Sequence, residues 1–282
     1  WDKVLFESLE GELDRDVAEE TLLRLVSQGV LRRRAQSEIS GCTSYRFEST
    51  YWREVAFDGL LHRERQHHHA KMARALQAFG VHESEPRLVA AQLHSAGLFP
   101  EASTLYVQAG RDFLRLGQRE DLEELLNALN EVLETPAAEH GRRVAHFNDR
   151  LWFHALTAHW SQLSGELDAA KDRIRSSFQL IEDTPERRNP SVMGNLARVR
   201  TEFHMLLGHI HRAQGELESA EKAYQEGESL AEGLAASEPL LALDIKRWRA
   251  LTLMQQKRHD EASLISKEVL ETRKADAEVA QG

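Results

Sequence analysis

Fourteen histidines, one cysteine and a run of three arginines are the residues of this 282-residue chain whose types could do chemistry. His67-His68-His69 stand in a row well inside the chain. Consecutive helical side chains point about 100° apart, so these three cannot close on one ion. His154 and His159 are five residues apart, as are His204 and His209. That spacing misses the i,i+4 face on which an HExxH helix presents two imidazoles to zinc. His209 and His211 point to different sides of one helix, and no cysteine shares these segments. The pattern is that of solvated or interhelix histidines, with no metal ligand set. Cys42 lies in the polar stretch SEISGCTS with no neighbouring base, which makes it a spectator thiol and not a nucleophile. A lone cysteine excludes an internal disulfide and fits a reducing cytoplasm. The acidic run Glu120-Asp121-Leu122-Glu123-Glu124 opens a helix, where carboxylates complement the dipole without any further role.

The elements that carry these residues are helical. The chain holds 39 Leu and 33 Ala against 6 Pro and 16 Gly, a balance that favours helix over the turn-rich β-sandwich or barrel. Hydrophobic residues make up 41% and charged residues 29%, as in a globular chain. No apolar run approaches the roughly 18–20 residues of a membrane span, and no signal-peptide pattern occurs. Prolines 86, 100, 136, 185, 190 and 239 fall between segments of helical period, where a residue without an N–H is tolerated. The segments they separate predict helices over 50–79, 84–96, 99–116, 118–134, 139–164, 167–182, 190–213, 217–235, 237–256 and 260–276.

Residues 1–49 read differently. Val17–Gln28 is a short amphipathic helix stopped by Gly29. Val30–Arg34 and Tyr45–Phe47 have strand character, and the polar link with Gly41 has the chemistry of a hairpin tip. Helix, helix, strand, wing, strand is a winged-helix arrangement. Arg32, Arg33 and Arg34 lead into the wing, where such domains touch phosphate. Against DNA binding, the helix that would enter the groove carries Glu19 and Glu20 with only Arg24 to balance them. Residues 1–70 hold 10 Lys/Arg and 13 Asp/Glu, and the whole chain carries a formal charge of −10. A transcription regulator whose winged helix reads DNA directly is therefore the alternative and not the leading reading. The expected organisation is a winged helix over 1–49, a connecting helix within 50–83, helical repeats over 84–276 and a disordered tail at 277–282.

The repeats are marked by a turn residue followed five positions later by alanine: Gly97 and Ala102, Gly165 and Ala170, Gly215 and Ala220. GELDAA at 165–170 and GELESA at 215–220 are nearly identical. Lys257 precedes Ala262 without the glycine, and Gly117 precedes Leu122 without the alanine. A glycine ends one helix in a left-handed cap, and an alanine in the next lets two backbones cross closely. This is the turn of a tetratricopeptide-type hairpin. The alanine spacings of 50 and 42 exceed the ideal 34, so the helices are elongated. Trp152, Trp160 and Trp248 lie on repeat helices as core or groove fillers. The fold class is mostly α: a small winged helix followed by an α-α superhelix.

Residues 45–76, YRFESTYWREVAFDGLLHRERQHHHAKMARAL, resemble the end of the winged helix in STAND-type signalling ATPases. LVAAQLHSAGLFPEASTLYVQAGRDFL at 88–114 is similar to the start of the tetratricopeptide-like (TPR) repeats in the same proteins. Such modules follow an AAA-like ATPase core in large bacterial LuxR-type regulators, in adenylate/guanylate cyclases and in some Ser/Thr kinases. The resemblance covers about residues 10–235. It implies a regulatory region that binds a protein partner or effector domain through its repeats and works on the ATPase core of the parent chain. In the family, a histidine closing the strand contacts nucleotide phosphate. Here Phe47 is followed by Glu48 and Ser49, so Ser49 stands at that position with Arg46 nearby, and His69 matches the family's second histidine. No GxxxxGK[ST] phosphate loop occurs in the chain. Neither a cofactor nor catalytic activity is expected in this chain, and any ATPase, cyclase or kinase activity belongs to domains outside it.

Overall fold

A computed structural model describes residues 2–9, 11, 14–37, 39, 41–135, 143–235 and 238–281. Among them the chain is mostly helical, with fourteen α-helices and one two-stranded sheet. It divides into two compact units, 1–142 and 143–282. The division falls within the stretch read as helical repeats, 84–276. The physical reason is that the helices over 62–134 pack on one another and on the N-terminal helix, forming a core with what precedes them.

In the first unit, α1 (Asp2–Ser8) packs against α4 (His62–Ala78), and α2 (Arg15–Ser27) lies against β1 (Leu31–Arg33). Asp14 caps α2 by accepting from the Asp16 N–H at 2.9 Å. β1 pairs antiparallel with β2 (Tyr45–Phe47), Leu31 opposite Phe47 and Arg32 opposite Arg46. Two helices and a hairpin in this order agree with the expected elements. Helix 50–79 is in fact two helices, α3 (Thr50–Asp58) and α4. Gly59 ends the first, and the Glu64 carboxylate accepts from the Leu61 N–H at 2.8 Å to open the second. Likewise 84–96 divides into α5 (Val81–Ser84) and α6 (Pro86–Ser95), because Pro86 holds Glu85 out of the helical region. α7 (Phe99–Leu116) and α8 (Arg119–Glu134) follow as a hairpin. Leu122, Leu125, Leu129 and Val132 of α8 are fully buried in this unit's core, one stripe at helical spacing.

The second unit is three helical hairpins in series. α9 (Arg143–Leu163) packs on α10 (Leu167–Asp183), α11 (Pro190–Ala213) on α12 (Leu217–Glu232), and α13 (Pro239–Gln255) on α14 (His259–Gln281). A 3-10 turn at Pro185–Arg188 joins the first two hairpins. Each of these helices except the last matches the sequence expectation within a few residues. α14 continues to Gln281, so 277–281 are helical where a disordered tail was expected. Its Ala-rich end, KADAEVAQ, is strong helix former. Pro136 and the start of the helix expected from 139 lie outside the described residues, as does Gly282. Among the described residues no helix is long and apolar enough to cross a membrane.

Candidate functional site

The turns that recur along the chain share one backbone state. Gly97, Gly117, Gly165 and Gly215 have φ of 75°, 70°, 83° and 78°, the left-handed region that only glycine adopts at no steric cost. Lys257 holds the same state with φ 64°, so the turn without a glycine keeps the geometry and bears its strain. Five positions on, Ala102, Ala170 and Ala220 are fully buried, and Ala262 and Leu122 nearly so.

The α11–α12 hairpin is packed most closely. A Cβ added at Gly208 would lie 2.4 Å from the Tyr224 ring, so the phenol rests directly on the α11 backbone. On α12, a Cβ added at Gly227 would lie 3.3 Å from the His204 Cβ and 3.7 Å from the Met205 backbone nitrogen. Tyr224 anchors a cluster with Ala220, Ala231 and Ile245, and Trp248 packs against it from α13. The Tyr224 hydroxyl bonds His209 Nδ1 at 2.7 Å. The Arg212 guanidinium reaches the same phenol, whose pKa burial pushes up to about 12. Burial also lowers His209 to about 4, aided by His159 and Arg212. The imidazole is therefore neutral.

His209 also meets the Trp248 ring edge-on at 4.8 Å between centroids. Arg212 and Arg247 place their guanidinium carbons 4.8 and 5.2 Å from the centroid of that indole. Gln162 of α9, His209, Arg212 and Ala213 of α11, and Trp248 and Gln255 of α13 line a groove of about 470 Å³. Further along α9 and α11, Trp152 is buried and donates to Asn195 Oδ1 at 2.9 Å, with Arg198 over its ring. His159 Nε2 lies 3.9 Å from Glu202. The first helices of the three hairpins thus bring aromatic, imidazole, amide and guanidinium groups together in this groove.

The hairpin of the first unit is arranged otherwise. Arg32 and Arg46 stand opposite one another in register, and Glu48 offsets the repulsion from 3.4 Å on Arg32. Arg33 and Arg34 line a depression of about 410 Å³ with Ser37, Cys42 and Thr43. The Ser49 side chain caps α3, accepting from the Trp52 N–H at 3.4 Å. Its oxygen is thus engaged in holding a helix end. His69 Nδ1 lies 2.8 Å from Gln92 Oε1, an interhelix bond between α4 and α6. Among the described residues no three His, Cys, Asp or Glu side chains converge as a metal site.

Sequence reasoning picked out the turn glycines and Ala220 but missed Gly208, Gly227, Tyr224 and Arg212. The signal was present for two of them: a glycine inside a strongly periodic helix marks close backbone approach. Nothing in the spacing of Arg212 told it from a solvated arginine. Comparison with known proteins returns no matching family model, no matching curated protein and no matching solved structure.

Proposed function

We propose that this chain is the regulatory and protein-interaction region of a multidomain signal-transduction ATPase of the cytoplasm. In this reading the helical hairpins form a tetratricopeptide-like binding surface for a protein partner or effector domain. The N-terminal two helices and hairpin act as a winged helix that relays the state of that surface to an ATPase core. The observation that carries the binding role is the groove in which His209, Arg212 and Trp248 meet Gln162 and Gln255 on α9, α11 and α13. Tryptophan and arginine are residue types enriched where protein surfaces bind. Stacked hairpins supply such a face without a dedicated enzyme pocket. The relay role rests on the order of modules and on the similarity of residues 45–76 and 88–114 described above. Direct DNA reading is disfavoured by Glu48 beside Arg32 and by the acidic balance of the first seventy residues.

A photo-crosslinking amino acid placed at Gln255, within the groove, and separately at Glu218, on the turn side of α12, tests the binding role in the cell of origin. A discrete protein adduct from Gln255 and none from Glu218 is the expected result. Equal or no labelling at the two positions would overturn the reading. The chain alone is further expected to bind no Mg·ATP by calorimetry. A cradle of backbone N–H groups with a lysine, the usual phosphate site, has no motif in this sequence.

A further inference from the structure

Several of the positive charges that face the hairpins of the second unit are neutralised within it. Arg198 pairs with Glu238, Arg249 with Glu228 at 2.9 Å, Arg258 with Glu221 and Glu261, and Lys246 with Glu228 and Glu268. The larger cavity of about 600 Å³, between the turns at Gly215–Ser219 and Gln256–Arg258, therefore offers a cation that is already satisfied. Arg212 and Arg247 belong to the remaining cations. Among the described residues neither has a carboxylate within salt-bridge distance, in a chain whose formal charge is −10. Both instead lie over Trp248. The Arg212 Nε is buried without a hydrogen-bond partner, as are those of Arg65, Arg198, Arg200 and Arg249.

The groove lies beside them. Its lining of Gln162, His209, Arg212, Ala213, Trp248 and Gln255 contains no acidic side chain. The nearest carboxylate acting on His209 is Glu202, which lies 3.9 Å from both His159 and Arg198. With His209 neutral, Arg212 is the formal charge of the lining. Arg212 spends one side of its guanidinium on the Tyr224 phenol, and its further N–H groups are the donors a carboxylate in the groove would meet. The glutamine amides on either side each supply a donor and an acceptor, as an extended peptide backbone requires. The exposed part of the Trp248 face accepts an apolar side chain next to the acidic one.

We infer that the groove between α9, α11 and α13 binds an acidic linear peptide, one of whose glutamate or aspartate carboxylates pairs with Arg212 while a neighbouring apolar residue lies on Trp248. This rests on the proposal that the repeat face is a protein-binding surface, and it names the chemistry of what is bound there. The association is electrostatic at its centre, so it weakens as salt rises.

The test uses the whole chain and a fluorescein-labelled decapeptide alternating Glu and Ala around a central Leu, read by anisotropy. Two counterparts carry Gln or phosphoserine in place of every Glu. The Glu peptide is expected to bind at least tenfold more tightly than the Gln peptide. Arg212→Gln should remove that difference, Arg212→Lys should retain part of it, and Trp248→Leu should weaken binding at unchanged salt dependence. Helical circular dichroism and the melting temperature of each variant establish that it is folded. Should Trp248→Leu unfold the chain, Arg247→Gln, on an exposed side chain, replaces it and should weaken binding severalfold. No saturable binding of the Glu peptide, binding unaffected by Arg212→Gln, or binding of the phosphoserine peptide alone would each overturn the inference. If the Gln255 crosslink forms while these arms fail, the partner-binding role stands and only the acidic chemistry is wrong.

Discussion

Tyr224 on α12 and Tyr51 on α3 are the same residue on two amphipathic helices, and they end in opposite environments. Tyr224 is fully buried, while Tyr51 is 64% exposed. α3 buries none of its residues, and Trp52, Val55 and Phe57 are exposed beside Tyr51. α12 buries Ala220, Ala223, Tyr224, Gly227 and Ala231. The difference does not lie in apolar content, which α3 has in plenty. It lies in what the neighbouring helix offers. Gly208 of α11 leaves a slot in the backbone that receives the Tyr224 ring, and Gly227 returns the approach from the other side. α3 meets the short strand β2, and Arg65 of α4 lies over its Phe57 at 4.6 Å. A large side chain is buried by a matching gap in its partner, and small residues at crossings make the gap.

The sharpest way to break this contrast is to truncate both tyrosines. Tyr224→Ala should cost about 3–5 kcal/mol, in line with other buried aromatic truncations. Tyr51→Ala should change stability by no more than about 0.5 kcal/mol, as an exposed substitution does. Urea denaturation of the two variants measures both, and equal losses would refute the contrast.

Acid provides the next effect. Burial lowers His154 to about 4, with Arg173 and Arg150 adding to it, and lowers His209 to about 4 as well. In the unfolded chain both titrate near 6.5, so between these values the unfolded state holds more protons. Stability from these two residues is fully present above about pH 6.5 and falls as the pH drops toward 4, by up to about 3 kcal/mol for each. Denaturation midpoints measured across that range should fall with pH, and His154→Phe should flatten the slope. A pH-independent midpoint in the unmodified protein would place both imidazoles in water.

The smallest effects belong to the turns. Gly215→Ala forces a Cβ into a left-handed cap and should destabilise by about 1–2 kcal/mol. Lys257→Gly should do the reverse. Relief of the same strain, less the roughly 0.5–1 kcal/mol of added backbone entropy, leaves a gain below about 1 kcal/mol. Thermal melts of the two variants should move in opposite directions. Movement in the same direction would show that the two turns are not equivalent.

The helices of the second unit were readable from the chain because their determinants are local. Proline starts, glycine stops and a 3.6-residue apolar period act within one or two turns of backbone. For the same reason the αL turn at 257 was legible by spacing even though lysine occupies it. Breaks set by one side chain reaching back, as Glu64 does to Leu61, escaped the periodicity because the apolar pattern runs through them. The division near 142 escaped it too, since which helices share a core is a matter of packing between distant segments. The groove lay furthest from view. Gln162, Arg212 and Trp248 are scattered over 86 positions, and only the stacking of three hairpins brings them to one cavity. Local propensity alone determined where the chain would turn. Which arginines found a carboxylate, and which were left on an indole, was decided by tertiary packing, because charge pairing depends on distances in space that a sequence does not contain.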